Sequence, residues 1–404
     1  MKGGLFKIGF LLFIASLCFS CTEEDGKDDV GSDKAHYYGL ASSDSRGGGS
    51  SGTSGSGGTG TGSGQSQPGM ITSGEWQDLD NWTFWNDIIE DASYSAMPDY
   101  WKFYNNNRVS VQVLTGNGNP LVNAVVELKR NSTTSFTART DNFGKAELWV
   151  DLFQKSETVD YSTISIAVNG DLEVRSSKPY SQGINEIIVD AKQPENRIEI
   201  ALVVDATGSM GDELEYIKTE LVDVIQKVKS NNSQAAIYTS SVFYRDEGDD
   251  YVTRVSNFSK DISVTNSFIN NQSAAGGGDF PEAVHTALEK AVGELQWSSN
   301  AKTRLMFLIL DAPPHYENSV ISSIQNSIKK AAEKGIKIIP VTASGIDKET
   351  EFLMRFMAIS TNGTYVFITN DSGIGNDHLT PTVGEYQVEY LNDLLVRLIN
   401  KYSK

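Results

Sequence analysis

Residues 305–310 read Leu-Met-Phe-Leu-Ile-Leu, six apolar side chains without a polar interruption. A strand with one wet face alternates apolar and polar residues, so a strand with no polar face must be covered on both sides. That is the position of a central strand in a parallel sheet. The flanking sequence agrees. Ile198–Val204 is a second near-continuous apolar strand, and Leu214, Ile217, Leu221, Val224, Ile225 and Val228 form a helical stripe. Ala235–Phe243 and Tyr251–Val255 read as strands, separated by an acidic turn at Asp246–Asp250. Val284, Leu288, Ala291, Val292 and Leu295 mark another helix. A helix near 318–334, a strand at Ile336–Thr342, a helix near 348–360 and a strand at Thr364–Ile368 follow. Val388, Leu391, Leu395 and Leu398 stripe a closing helix. Such alternation over 197–404 predicts an α/β fold: a doubly wound, mostly parallel sheet with helices on both faces.

Upstream the period changes. From Arg108 to about Asp190, Val109, Val111 and Val113 alternate with polar residues, and Val125–Leu128, Ala146–Trp149 and Ile164–Ile166 follow. Turn sequences at Gly116–Pro120, Asp141–Gly144 and Asn169–Asp171 separate them. Residues 105–192 therefore read as a small antiparallel, all-β sandwich. The stretch GNPLVNAVVELKRN…TARTDNFGKAELWV resembles the carboxypeptidase-regulatory, transthyretin-like module, a relative of Ig-like folds. The resemblance implies a spacer or adhesive module without catalytic residues. Between tether and sandwich, residues 70–104 carry four of the six tryptophans, and Trp82, Trp85, Ile88 and Ile89 recur at helical spacing. This predicts an aromatic helical segment with one amphipathic helix, either stapled to a neighbouring domain or stacking on sugar rings.

The N-terminus has a different character. Residues 1–20 place Lys2 and Lys7 before an apolar run from Ile8 to Leu17, a secretory leader too short to span a bilayer. It ends in Cys18-Phe19-Ser20-Cys21, which resembles a loose bacterial lipobox. The resemblance implies cleavage before Cys21, acylation of its sulfur and a membrane anchor; ordinary cleavage beside an incidental cysteine is the alternative. Thr22-Glu23-Glu24-Asp25 is similar to the acidic export tag of some Gram-negative lipoproteins displayed on the outer surface of the outer membrane, and also fits a solvated tail. Residues 47–64 are ten Gly, five Ser and three Thr. With no apolar surface to bury, residues 21–69 read as an acidic and Gly/Ser-rich disordered tether. Both cysteines fall in the first 21 residues, which leaves no disulfide for the folded part, and a net charge of −18 argues against nucleic acid as a partner.

In a doubly wound sheet, ligands bind beyond the carboxyl ends of the strands. Two acidic signals stand at such ends: Asp205-Ala206-Thr207-Gly208-Ser209 after the first strand, and Asp311-Ala312-Pro313-Pro314-His315 after the 305–310 strand. If those strands are neighbours, about 4.8 Å apart, both carboxylates face one small volume. Two carboxylates and two hydroxyls with no nearby arginine call for a divalent cation, Mg²⁺ first, with Ca²⁺ or Mn²⁺ also accommodated.

VVDATGSMGDEL (203–214), VFYRDEGDDYVTRV (242–255), GGGDFPEAV (276–284) and LILDAPPH (308–315) occur in the order found in von Willebrand factor type A domains. The resemblance covers 197–404. By position, Asp205, Thr207, Ser209 and Asp311 match the ligands of the metal-ion-dependent adhesion site. At the third motif the family usually offers a threonine, and here Asp279 follows Gly276-Gly277-Gly278. Asp279 is either a further metal ligand or a helix N-cap before Pro281. The resemblance implies a non-enzymatic cell-surface lipoprotein that adheres to an extracellular protein or surface ligand through a carboxylate. The alternatives are a surface assembly protein whose cation only stiffens the domain, and a metal-dependent surface hydrolase. His315 reads as a residue that caps or packs its turn, and Asp246–Asp250 as a solvated loop. No phosphate loop ending in Lys-Ser/Thr is present, and a Gly-x-Ser-x-Gly elbow fails at Ser209, where Thr207 stands in place of the glycine.

Overall fold

The computed structural model describes residues 66–404 apart from positions 93, 156 and 157. The leader, Cys21 and the tether up to residue 65 lie outside the described residues. The first element is a strand, β1 (Thr72–Trp76), followed by two short helices, α1 (Trp82–Glu90) and α2 (Met97–Trp101). Strands β2 (Asn106–Leu114), β3 (Val125–Arg130), β4 (Thr133–Arg139), β5 (Lys145–Asp151), β6 (Ile164–Val168), β7 (Leu172–Val174) and β8 (Asn185–Ile188) come next. They form a sandwich of two sheets, ordered β5-β2-β8 and β4-β3-β6-β7. Its pairings are antiparallel except one: β8 runs parallel to β2, because the chain crosses over from β7 before it rejoins the first sheet.

The chain then alternates: β9 (Glu195–Asp205), α3 (Leu214–Asn231), β10 (Ala236–Tyr244), β11 (Thr253–Ser259), α4 (Ile262–Asn270), α5 (Val284–Leu288), β12 (Ala301–Leu310), α6 (Asn318–Lys334), β13 (Ile336–Thr342), α7 (Lys348–Ser360), β14 (Tyr365–Ile368), β15 (Glu389–Tyr390) and α8 (Leu391–Ser403). The sheet order is β11-β10-β9-β12-β13-β14-β1-β15. Five central strands, β10 to β14 in that order, are parallel, and the residues of the 305–310 run are wholly buried. The doubly wound reading holds. Two apolar clusters cover the faces, one with α5, α6 and α7, the other with α3 and α8.

Local periodicity missed one connection. The aromatic segment is not wholly helical, since Thr72–Trp76 inserts into the α/β sheet antiparallel to both β14 and β15. The sandwich is thereby an insertion between two strands of a single sheet. Gly74 makes the fit possible. A β-carbon there would lie 2.6 Å from the Phe367 ring and 2.8 Å from Tyr386. The tether also ends earlier than its composition suggests. Ser66 bonds to Thr219 at 3.1 Å, and the amides of Gly69, Met70 and Ile71 all donate to the Glu220 carboxylate on α3. Val388 stands in an exposed extended stretch before α8 rather than in its stripe.

The tryptophans pack. Trp85 stacks on Phe352 and Phe103 on Phe356, so the segment after β1 is fastened along α7. Between them the wholly buried Arg355 donates to Asp78 at 2.6 and 3.0 Å. Asp78 in turn accepts from Trp76 Nε1 at 3.0 Å. Replacing Glu220 by Ala leaves three strap amides without their acceptor. Urea unfolding is expected to show a loss of about 3 kcal/mol, and hydrogen exchange to show Gly69–Ile71 unprotected.

Candidate metal centre

β9 and β12 are adjacent parallel strands, with Val204 opposite Ile309. Asp205 ends β9 and Asp311 follows β12, so the two predicted carboxylates stand side by side, both buried. The turn after Asp205 folds onto it. Thr207 donates from its amide at 2.9 Å and from its hydroxyl at 2.7 Å, both to Asp205 Oδ1. The Thr207 and Ser209 hydroxyl oxygens lie 3.0 Å apart. Thr207 is buried, whereas Ser209 is exposed at the mouth. Sequence reasoning brought these four residues together, and the structure places them together.

The second and third loops, 246–250 and 276–279, interlock with the first. Gly208 donates to the Gly276 carbonyl at 3.0 Å, and Gly277 donates to Asp249 Oδ2 at 2.9 Å. Gly276 and Gly277 have φ of +79° and +70°, and a β-carbon on Gly276 would lie within 2.4 Å of all three Asp249 carboxyl atoms. Only glycine fits. The 246–250 loop is therefore not simply solvated. Asp246 is buried and sits 2.7 Å from His315 Nε2, and Asp249 accepts from both Asp246 and Gly277 amides. Arg245 does not pair with Asp246. It donates to the carbonyls of Ala206 and Ser273.

Asp279 stands apart from this arrangement. It is exposed and makes no hydrogen bond among the described residues. It does not cap a helix either, because α5 starts at Val284 with Ala283 in the cap position. The residue that the sequence reading passed over is Glu282, three positions on. It is 2 % exposed, its amide bonds to Pro313, and its Oε1 would lie 2.8 Å from a β-carbon on Gly277. The proline-glutamate pair after the glycines was the only available signal, and on its own it reads as a helix start.

The site carries negative charge without a positive counterpart. Among the described residues no lysine or arginine pairs with Asp205, Asp311 or Glu282. Asp205 Oδ2, Asp311 Oδ1 and Glu282 Oε2 are buried and have no hydrogen-bond partner among the described residues. Burial pushes Asp205 up to about 6. Burial and then the Asp205 charge push Asp311 up to about 7. Burial, followed by Asp205 and Asp246, pushes Glu282 up to about 9. Tyr244 is wholly buried beside them, and burial and then the Asp205 and Asp311 charges keep its phenol protonated. The orphaned oxygens and the two hydroxyls fit a hard divalent cation, which takes oxygen ligands and would neutralise the pair. Among the described residues no three His, Cys, Asp or Glu side chains are already arranged around one ion position.

The pH dependence follows from the direction of these shifts. All three carboxyls bind their protons more tightly folded than unfolded. Their stabilising contribution is complete below the unfolded values of 3.8 and 4.5, and is lost as pH rises through about 6, 7 and 9. Thermal melts in chelator are expected to show Glu282→Gln flattening the upper end of that decline, above about pH 7.

Residues 199–374 match the family model described as von Willebrand factor A domain. The ariadne-like RING finger protein R811 of Acanthamoeba polyphaga mimivirus is 30% identical over 131 residues, which is 32% of this chain and 12% of that protein. Alpha-protein kinase vwkA of Dictyostelium discoideum is 29% identical over 143 residues, 35% of this chain and 22% of that protein. The chain thus spans a minor part of either relative's length. Among solved structures, BatB of Bacteroides thetaiotaomicron aligns at 14% identity and a TM-score of 0.36, covering 51% of this chain and 98% of that one. An aerotolerance-related membrane protein of Bacteroides fragilis aligns at 14% identity and a TM-score of 0.32, covering 50% and 99%. The chain carries a von Willebrand factor A domain over residues 199–374, built on the strands that position Asp205 and Asp311.

Proposed function

We propose that this protein is a cell-surface lipoprotein that binds a divalent cation, Mg²⁺ first, at Asp205, Thr207, Ser209 and Asp311, and adheres through it to an extracellular protein or ligand offering a carboxylate. The observation that carries this reading is the pair of buried, adjacent carboxylates with no basic partner and with free oxygens. Asp205 and Asp311 hold negative charge, Thr207 and Ser209 align neutral oxygens, and the exposure of Ser209 leaves one side open to a partner. A bound cation supplies the open coordination position for that partner's carboxylate. Asp279 remains a candidate fifth ligand from its place in the third motif, and Glu282 from its burial beside Thr207.

The non-enzymatic reading draws support from His315, four residues past Asp311, whose ring nitrogen is engaged by Asp246. Kinase and RING finger are names of proteins of which this chain spans 22% and 12%. The anchor reading rests on the leader and Cys21. No helix among the described residues is long and apolar enough to cross a membrane. The interlocked loops support a second reading, in which the cation stiffens the domain and no partner is held through it.

Calorimetry on the mature chain with Mg²⁺, Mn²⁺ or Ca²⁺ tests the site. Asp205→Ala is expected to reduce cation affinity at least about 100-fold. The larger loss between Asp279→Ala and Glu282→Gln identifies the fifth ligand. Absence of binding by all three ions overturns the proposal. Partner capture from extracellular extracts that is unchanged by chelator, together with a melting temperature that chelator lowers, favours the stiffening reading.

A further inference from the structure

The second unusual electrostatic feature lies at the opposite end of β12. Arg304 is seven residues before Asp311, a separation of about 23 Å along a strand. There the β4–β5 turn of the sandwich meets the starts of β12 and β13 and the ends of α6 and α8, around a cavity of about 30 Å³. Four basic residues line it, Arg139, Lys302, Arg304 and Lys337, with two acids, Asp141 and Glu147.

Both acids are already paired. Asp141 bonds to Lys337 at 3.1 Å. Glu147 accepts both Nε and Nη2 of Arg108, at 2.8 and 3.0 Å, and the Ser110 hydroxyl as well. Glu199, the next carboxylate towards Arg304, is bonded by Arg197 and by the Ser298 amide. Three cations form no ion pair among the described residues, although the Glu333 and Glu199 charges act on Arg139 and Arg304. Arg139 donates to the Glu333 and Asn123 carbonyls. Arg304 donates to the Ser298 carbonyl and to Asn123 Oδ1. Its Nη2 has no partner, although the residue is only 3 % exposed. Lys302 forms no ion pair among the described residues. The last carbonyls of α6 attract Arg139 and Arg304, but a helix terminus supplies only about half a charge.

We infer that this junction between the sandwich and the A domain is a binding site for a small inorganic anion, held by Arg304 Nη2 with Lys302 and Arg139, which fastens the two domains together. The volume suits one such ion or about two waters. A water can satisfy a donor but cannot offset buried positive charge, and an unpaired buried charge is costly. Consistent with that cost, burial and then the neighbouring Arg139 push Arg304 down to about 10. The site is built jointly, since Arg139 comes from the sandwich and Lys302 and Arg304 from the sheet. A β-carbon on Gly335, at the end of α6, would lie 2.9 Å from Arg139 Cβ and 3.3 Å from Arg304 Nη1, so this glycine lets the two arginines sit together.

The test uses the full mature chain in chelator, with gluconate as the reference anion and ionic strength held constant. Chloride, phosphate and sulfate are added separately. At least one is expected to raise the melting temperature by about 2 to 4 °C at tenfold over its dissociation constant. Chloride alone acting identifies a halide-sized occupant, and phosphate or sulfate acting identifies a tetrahedral oxyanion. Lys302→Ala, at the half-buried edge of the cavity, is expected to weaken that response about tenfold while the chain still folds. Asp205→Ala is expected to respond like the unaltered chain, which separates this site from the cation centre. Bromide-soaked crystals are expected to show anomalous density beside Arg304 Nη2. Equal melting temperatures in all anions at fixed ionic strength overturn the inference, as does a cavity filled by water alone in crystals soaked with the anion that raised the melting temperature.

Discussion

The side-by-side parallel pairing of β9 and β12 is the constraint on which the site depends. The stretches Ile200–Val204 and Leu305–Leu310 of these strands are apolar on both faces, so they can only lie in the interior of a sheet covered by helices. Each ends in an aspartate, and the pairing therefore delivers two carboxylates to one small, poorly hydrated volume. Placing them there opposes folding, since burial raises both and each charge disfavours the other. The surrounding loops do not relieve that repulsion with a lysine or arginine. They hold it in place by backbone bonds, from Gly208 to Gly276 and from Gly277 to Asp249, which fix three loops against one another.

The N-terminal segment completes the same sheet. β1 lies between β14 and β15, the strap before it grips Glu220 on α3, and the aromatic residues after it run along α7. The helix gripped by the strap is the one that follows the Asp205 loop. Strap, strand and aromatic segment thus bind the residues before the sandwich to the domain after it. The sandwich, inserted between β1 and β9, is held by both its connections and by polar contacts such as Asn142 to the Lys401 carbonyl and Asp141 to Lys337. It is a fixed part of the folded unit and not a loosely strung spacer.

Much of the fold was legible from local pattern. The helices at 318–334 and 348–360 and the strand at 336–342 fall where the apolar spacing puts them. α4 was missed because its apolar residues are few and its start, capped by Asp261, follows a strand without a glycine or proline between them. β1 was missed for a deeper reason. Five residues containing a serine, a glycine and a glutamate have no strand signature of their own, and their partners are about 290 residues away. Glu282 was missed because its burial is set by the approach of Gly277 and Pro313 from other loops.

The sequence by itself determined most of the strands and helices of the α/β part, and that Asp205, Thr207, Ser209 and Asp311 lie at strand ends, because apolar periodicity and turn chemistry are local properties of a chain. Only the tertiary structure decided that the sandwich is an insertion, that Glu282 is buried beside Thr207 while Asp279 faces solvent, and that Arg139 and Arg304 share a cavity whose two lining acids, Asp141 and Glu147, are already paired. Those outcomes depend on which residues distant in sequence are brought within a few ångströms, and on which charges lose their water when that happens. Neither quantity is a property of any single segment.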